Sequence, residues 1–319
     1  MIQELNLFDK EYEVIQQRNK IWSGNSLIPK WVNLEDVGLD QYFTNDDVAK
    51  YCYESLNNHL LKNNVKPEDF TFIEPSAGRG SFFDLLPKTN RIGLDIFPLH
   101  PDIIKQDFLS WNPPHQNNKY IFIGNPPFGY RAWLALSFMN HAAQFAEYIG
   151  FILPMSFQSD GKGNPKNRIK GMELIHSENI SSDSFHLPNN QKCKVNAVWQ
   201  IWKKGSPQQT NKKTCKLWLD LFTVDMRKER LCGQEKFHSA DFFLQRTYYN
   251  KPPTLVKTFD EVKYVCGYGL IIKKDKDRII NILDNTDWNN YSNLATHNCR
   301  HISMYHIEKA LIDRGVYDV

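Results

Sequence analysis

A chain of 319 residues that is 41% apolar and 24% charged suffices for one large or two ordinary domains, with the balance of a soluble globular protein. Its net charge of +3 demands no polyanionic partner, and no apolar run reaches the roughly 20 residues of a membrane span. Acids in the first residues (MIQELNLFDKEYEV) argue against a secretory leader, and six cysteines without a CxxC pair argue against metal or disulfide chemistry, so a cytoplasmic protein with reduced thiols is expected.

In chain order, residues 1–40 read as a polar leader. Asn45 then opens a helix: an N-cap residue, two acids in the first turn, and an apolar stripe through Val48, Tyr51, Cys52 and Leu56. Short apolar runs follow at Phe70–Glu74, Arg91–Asp95, Ile103–Asp107, Tyr120–Gly124 and Tyr148–Leu153, with a helical pattern from Arg131 to Glu147 before the last of them. Continuous apolar runs alternating with helical segments imply an α/β fold whose parallel sheet is covered on both faces. Lys194–Trp202 alternates instead, with Val195, Ala197, Trp199 and Ile201 on one face. A polar cluster from Gly205 breaks the pattern and places a domain boundary between 204 and 205. The remainder, 205–319, is irregular and ends in a helical tail from Ser303 to about Arg314.

The first chemical cluster is a strand entering a small-residue turn: Glu74, Pro75, Ser76, Ala77, Gly78, Arg79 and Gly80. Glycines there let a backbone approach a ligand closely. Asp95 closes the next run, followed by Ile96, and is placed to hydrogen-bond ribose hydroxyls. Asp107 and Phe108 close the third, offering a polar contact and an aromatic wall to an adenine ring. A dinucleotide site would show a third glycine, but Phe83 stands there, and Glu74 would repel a pyrophosphate. An acid at that point suits a cationic ligand, which favours S-adenosyl-L-methionine over NAD.

The second cluster ends the fourth run: Asn125, Pro126, Pro127 and Phe128, followed by Gly129. The prolines stiffen the turn and remove two donors. The Asn125 side-chain oxygen and the Pro126 carbonyl can then both serve as acceptors. An amino group conjugated to an aromatic ring is a poor nucleophile; two acceptors holding its hydrogens would favour the pyramidal transition state. Phe128 offers a surface on which a base can stack. Catalysis is assigned to Asn125, Pro126, Pro127 and Phe128, with no metal required.

These ordered motifs, EPSAGRG at Glu74–Gly80, GLDIF at Gly93–Phe97, QDF at Gln106–Phe108 and NPPFG at Asn125–Gly129, resemble those of the N6-adenine DNA methyltransferases whose cofactor motif precedes the catalytic one and whose target-recognition domain comes last. The resemblance spans Gln41 to Lys204. It implies a Rossmann-like, mostly parallel seven-stranded sheet with a reversed final strand, followed by a mixed α+β recognition module. It also implies a role for Thr44 in holding the methionine carboxylate, although Asn45 stands where the family usually has proline. Lys194–Val198 resembles the family's hairpin, and Phe185, just ahead of it, becomes the candidate for stacking on a flipped base. Beyond methylation of an amino group the substrate is less specified. A flipped adenine in a DNA site is the expectation, with a cognate restriction endonuclease as a partner. An RNA methyltransferase acting on an adenine or guanine amino group and a non-catalytic DNA-binding protein on the same fold are the alternatives.

Extruding a base calls for a module that grips phosphates. Between Asn189 and Arg230 stand Lys192, Lys194, Lys203, Lys204, Lys212, Lys213, Lys216, Arg227, Lys228 and Arg230, opposed only by Asp220, Asp225 and Glu229. The aromatics Phe242, Phe243, Tyr248, Tyr249 and Tyr268 lie beyond, and the polar candidates Gln245, Arg246 and Asn298 accompany them. His297, His301 and His306 lack zinc-site spacing and are expected to be surface or helix residues. The loop Ser159–Asn167 is flexible by composition and is expected to close over DNA.

Overall fold

The computed structural model describes residues 2–39, 41–115, 118–159, 165–205, 213–295 and 298–318. The chain divides into two compact units, the first formed by Met1–Phe157 with Pro165–Pro207 and the second by Gln158–Asn164 with Gln208–Val319. Much of the loop Ser159–Asn167 (residues 160–164), Lys212 and His297 lie outside the described residues.

In the first unit, helix α1 (Ile2–Trp22) leads to strand β1 (Phe43–Thr44) and helix α2 (Asp46–Lys62). Then come β2 (Thr71–Glu74), β3 (Arg91–Asp95), β4 (Ile104–Lys105), β5 (Tyr120–Gly124), helix α3 (Trp133–Ala142) and β6 (Ala146–Pro154). Strands β7 (Met172–Asn179), β8 (Phe185–His186), β9 (Lys192–Cys193) and β10 (Ala197–Lys204) complete it. Seven of these strands form one sheet in the order β4-β3-β2-β5-β6-β10-β7. Neighbours from β4 to β6 pair in parallel, while β10 runs antiparallel to both β6 and β7. This is the Rossmann-like sheet with a reversed last strand that the resemblance implies. Helix α1 belongs to this unit, and Val14, Arg18 and Trp22, one helical turn apart, are all buried.

From β2 the chain first builds outwards through β3 and β4, then returns to the other side of β2 with β5. The connections thus diverge between β2 and β5, and in a doubly wound sheet a crevice opens at the carboxyl ends of such a pair. Glu74 ends β2 and Gly124 ends β5, so two of the sequence clusters flank that crevice.

One face of the sheet is covered by Ala49, Cys52, Leu56 and Leu60 of α2, packed on Phe72, Ile121, Ile123, Ile152, Trp199 and Ile201. Trp199 is fully buried and donates its indole N–H to Ser55 Oγ (3.2 Å). Gly150 on β6 makes that ring's position possible, because a Cβ there would stand 2.6 Å from its Cη2. Gly150→Ala is therefore expected to destabilise the protein by about 1–3 kcal/mol through overpacking. A urea midpoint lowered with an unchanged slope is the measurement. On the other face Phe108 packs against Phe122 (5.8 Å between ring centroids) and Phe138 of α3 (5.1 Å).

The second unit holds an antiparallel sheet, β11-β14-β12 (Leu219–Asp225, Cys266–Ile272, Phe242–Gln245), and a smaller one made of β13 (Thr247–Tyr248), β16 (Arg300–His301) and β15 (Asn293–Leu294). Helices α4 (Lys276–Asp284) and α5 (Met304–Ile312) pack with the first sheet around Trp288, Leu244 and Leu270. It is a mixed α+β module. Of the aromatics read as possible base contacts, Phe242, Phe243, Tyr248 and Tyr268 are buried and only Tyr249 is exposed. His306 is a helix residue, in the first turn of α5, where it is buried and shares a capping box with Ser303. The residues of the basic stretch divide between the two units, and two of them are paired with acids, Lys204 with Glu147 and Arg227 with Asp225.

Candidate active site

A cavity with about 950 Å³ of space free of protein atoms, part of it continuous with solvent, opens at the carboxyl ends of β2, β3 and β5. The structure brings to its wall Thr44, Glu74, Pro75, Ser76, Ala77, Gly78, Asp95, Ile96, Asp107, Phe108, Asn125 and Pro127. Gly80, Pro126 and Phe128 stand outside the wall. Gly80 shapes the turn instead, at φ +96° with its N–H on the Ala77 carbonyl (2.7 Å). Pro126 is buried, and Phe128 packs against the α2-side core.

Phe185 requires a correction. Its register opposite Thr44 turns it into the core, where it is 1% exposed and has no free face for a base. The hairpin is β8–β9, earlier than Lys194–Val198. His186 next to it stacks on Phe43 (5.8 Å, 29° between planes), and Phe43 lines the cavity. Asn45 precedes α2 but makes no side-chain cap; its amide reaches across to the Asp183 carbonyl (2.9 Å) and to His186 Nδ1 (3.1 Å), tying α2 to the hairpin.

The glycine turn is fixed by an acid. Gly78, at φ +49°, donates its N–H to Asp95 Oδ2 (2.7 Å), and a Cβ on it would come within 2.9 Å of the Phe43 ring. The other Asp95 oxygen accepts the Phe97 N–H at 2.7 Å. Each carboxylate oxygen keeps a second lone pair for a ligand hydroxyl. Burial pushes the Asp95 carboxyl above its ordinary value, against the pull of those two N–H groups.

Glu74 is 2% exposed, and its Oε2 has no hydrogen-bond partner among the described residues. Burial first, and the charge of Asp95 second, drive its carboxyl well above the usual carboxylate range. An unpartnered buried carboxylate is costly unless a cation or donor meets it. Gly124 makes room for it, since a Cβ there would lie 3.2 Å from Glu74 Cγ.

Asn125 is held by its amide nitrogen, which donates to the Tyr42 carbonyl (2.9 Å). That bond settles the amide's orientation, because a carbonyl can only accept. It leaves Oδ1 buried and, among the described residues, without a donor. The Asn125 carbonyl accepts from Ser76 Oγ (3.1 Å), linking the exit of β5 to the turn after β2.

The N-terminal helix supplies wall residues that sequence reading missed. Trp22 donates its indole N–H to Asp107 Oδ2 (2.9 Å), while Asp107 Oδ1 accepts from Leu109 N–H (3.1 Å). Burial raises the Asp107 carboxyl, opposed by these bonds. Arg18 lies over the Trp22 ring (4.6 Å) and donates to the Gly38 carbonyl (3.0 Å) and to that of Val37. Burial pulls its guanidinium down to about 10 despite the opposing charge of Asp107. The Val14–Arg18–Trp22 stripe was the available signal, but an arginine at its centre reads as a solvent face.

No protein-family model matches the chain, and no curated protein matches it. Similar solved structures include a Pyrococcus horikoshii protein provisionally assigned as an RNA methyltransferase (16% identity, 53% of this chain and 89% of that one, TM-score 0.38). A modification subunit provisionally assigned to a type I restriction enzyme of Vibrio vulnificus is 12% identical over 75% of this chain and 57% of that one, at TM-score 0.38. Magnesium protoporphyrin IX methyltransferase of Synechocystis with bound S-adenosylmethionine is 12% identical over 60% of this chain and 97% of that one, at TM-score 0.37. At these levels, what the cavity does is decided by its own residues. Among the described residues no helix is long and apolar enough to cross a membrane, and none groups three metal-binding side chains.

Proposed function

We propose that the protein is an S-adenosylmethionine-dependent methyltransferase that methylates the N6 amino group of an adenine flipped out of DNA. The observation that carries this reading is Asn125: an amide anchored by its nitrogen, with a buried acceptor oxygen left over, in the wall of the cavity at the carboxyl ends of the strands.

The cavity's donor set fits the cofactor. Glu74 offers an unmatched carboxylate to a cation, Asp95 has spare lone pairs for ribose hydroxyls, and Asp107 offers an acceptor to adenine, with Phe108, at 1% exposure, packed into the wall rather than presenting a face to the cavity. When bound, the cofactor supplies an electrophilic methyl group on a sulfonium. Asn125 Oδ1 accepts one hydrogen of the substrate amino group; the Pro126 carbonyl, which the sequence pairs with it, is the acceptor for the other only if the substrate amine reaches beyond the residues that line the cavity. Held this way, the nitrogen is drawn out of conjugation and its lone pair becomes available. The prolines present no competing N–H. Once methylated, the nitrogen is strongly acidic and its proton passes to solvent without a dedicated base.

The test is methyl transfer from labelled S-adenosylmethionine to DNA, RNA and protein in parallel, with nucleoside analysis of the product. N6-methyladenine in DNA is the expected product. Label in RNA alone would move the substrate, and transfer to none of the three would reduce the chain to a binding protein on this fold.

A further inference from the structure

Tyr130 and Trp31 are 69% and 57% exposed, and they touch each other edge to face, with ring centroids 6.5 Å apart. The Arg131 guanidinium lies 4.9 Å from the Tyr130 ring centre. Single exposed aromatics are ordinary on a protein surface. Two in mutual contact, with a cation on one of them, immediately after the catalytic Asn125–Gly129 segment, are not.

The backbone is arranged to hold them outwards. Gly129, Arg131 and Ala132 all take positive φ (+67°, +57° and +61°), and the last two have a Cβ that makes this conformation unfavourable. The turn survives because both of its sides are tied down. Ala132 N–H bonds to the Gly129 carbonyl (3.0 Å), Ala135 N–H to that of Phe128 (3.2 Å), and Trp133 is buried edge-on against Trp22 (5.7 Å). Its effect is to bury Ala132 and Trp133 while Tyr130 and Arg131 face solvent. Trp31 is presented from a second anchored segment. The Leu27 carbonyl accepts from Ser137 Oγ (2.7 Å), Asn25 Nδ2 donates to the Leu109 carbonyl (3.2 Å), and Val32 N–H closes a turn onto Pro29 (3.0 Å).

Charge selects the occupant. Lys30 adjoins Trp31 and Arg131 adjoins Tyr130, and no acid occurs in sequence from Ser23 to Leu34 or from Pro126 to Ala146. Flat faces beside cations that have no acid near them in sequence match a nucleic-acid strand, with its base on the ring and its phosphate on the cation.

We propose that Trp31, Tyr130 and Arg131 form a stacking platform beside the active site that receives an unstacked base of the DNA substrate. This rests on the reading of the site as a DNA-adenine methyltransferase. Extruding the target breaks the stack around it, and a platform that takes a base face without reading its edge lowers the cost of that opening whatever the neighbouring sequence.

The experiment titrates the full-length chain, saturated with S-adenosylhomocysteine, into labelled oligonucleotides followed by fluorescence anisotropy: single-stranded DNA, duplex DNA with a mismatched adenine, and single-stranded RNA. Tyr130→Ala and Trp31→Ala are each expected to weaken DNA binding about 10-fold with an unchanged salt slope, and Tyr130→Phe to restore it. Arg131→Ala is expected to lower the slope of log affinity against log salt by about one unit. All should bind S-adenosylhomocysteine as the wild type does, which a merely structural role would not preserve. DNA affinity unchanged in both aromatic variants overturns the platform and leaves the methyltransferase reading intact. Loss confined to the RNA overturns the choice of DNA. A wild type that binds S-adenosylhomocysteine but no oligonucleotide, and modifies protein, overturns both.

Discussion

Replacing Asn125 by alanine is expected to lower kcat for methyl transfer by about 10²–10³-fold, the range for removing one preorganised group that meets charge developing in a transition state. Its oxygen is the side-chain acceptor facing the substrate amine in this reading, and its nitrogen is committed to the Tyr42 carbonyl. In this reading the alanine enzyme keeps Glu74, Asp95 and Asp107 for the cofactor, so the KM for S-adenosylmethionine should move far less than kcat. Asn125→Asp separates the two halves of the side chain. It keeps an acceptor but sets a carboxylate oxygen against the Tyr42 carbonyl, so its single-turnover rate should fall between those of the wild type and the alanine variant. Equal rates for all three would remove Asn125 from the chemistry.

Much of the sheet could be read from residues alone because its central strands are buried on both faces. Arg91–Asp95 and Tyr120–Gly124 are apolar runs that begin and end where the strands do. Edge strands escaped. Met172–Asn179, with Glu173, His176 and Glu178 on a half-solvated edge, is not among the runs read from the sequence, while Ile103–Asp107, read as a full run, pairs only over Ile104–Lys105. The predicted helix Arg131–Glu147 begins two residues late, at Trp133, because Arg131 and Ala132 are left-handed. Phe185 misled for a different reason. Which face an aromatic in a two-residue strand presents depends on its register with β1, a pairing across 141 residues that no local pattern encodes. The cavity wall from α1 was hidden because Arg18, polar by type, is satisfied in the folded chain by carbonyls of Val37 and Gly38.

Glu74→Gln is expected to move stability and affinity in opposite directions. In the ligand-free protein the Glu74 carboxyl sits well above its ordinary 4.5, through burial and then through Asp95. The folded chain therefore retains a proton that the unfolded chain has lost. This group's contribution to stability is full below that ordinary value and is lost progressively as pH rises through the folded pKa. Asp95 and Asp107, also raised by burial, act in the same sense. Glutamine cannot ionise, so at neutral pH the variant should unfold at a higher temperature than the wild type, by about 1–3 kcal/mol of relieved desolvation. A cationic ligand beside Glu74 reverses the argument. It favours the ionised form, so binding should release protons and tighten as pH rises through that same range. Removing the charge should weaken S-adenosylmethionine roughly 30-fold or more and reduce the protons released, measured by calorimetry in buffers of different ionisation enthalpy. The sulfonium and thioether forms of the ligand locate the partner charge. If Glu74 answers the sulfonium, the variant loses far more affinity for S-adenosylmethionine than for S-adenosylhomocysteine; if it answers the amino-acid ammonium, which both ligands carry, the losses are equal. A variant that melts lower and binds both ligands unchanged would make Glu74 a structural acid, with its free oxygen turned away from any ligand.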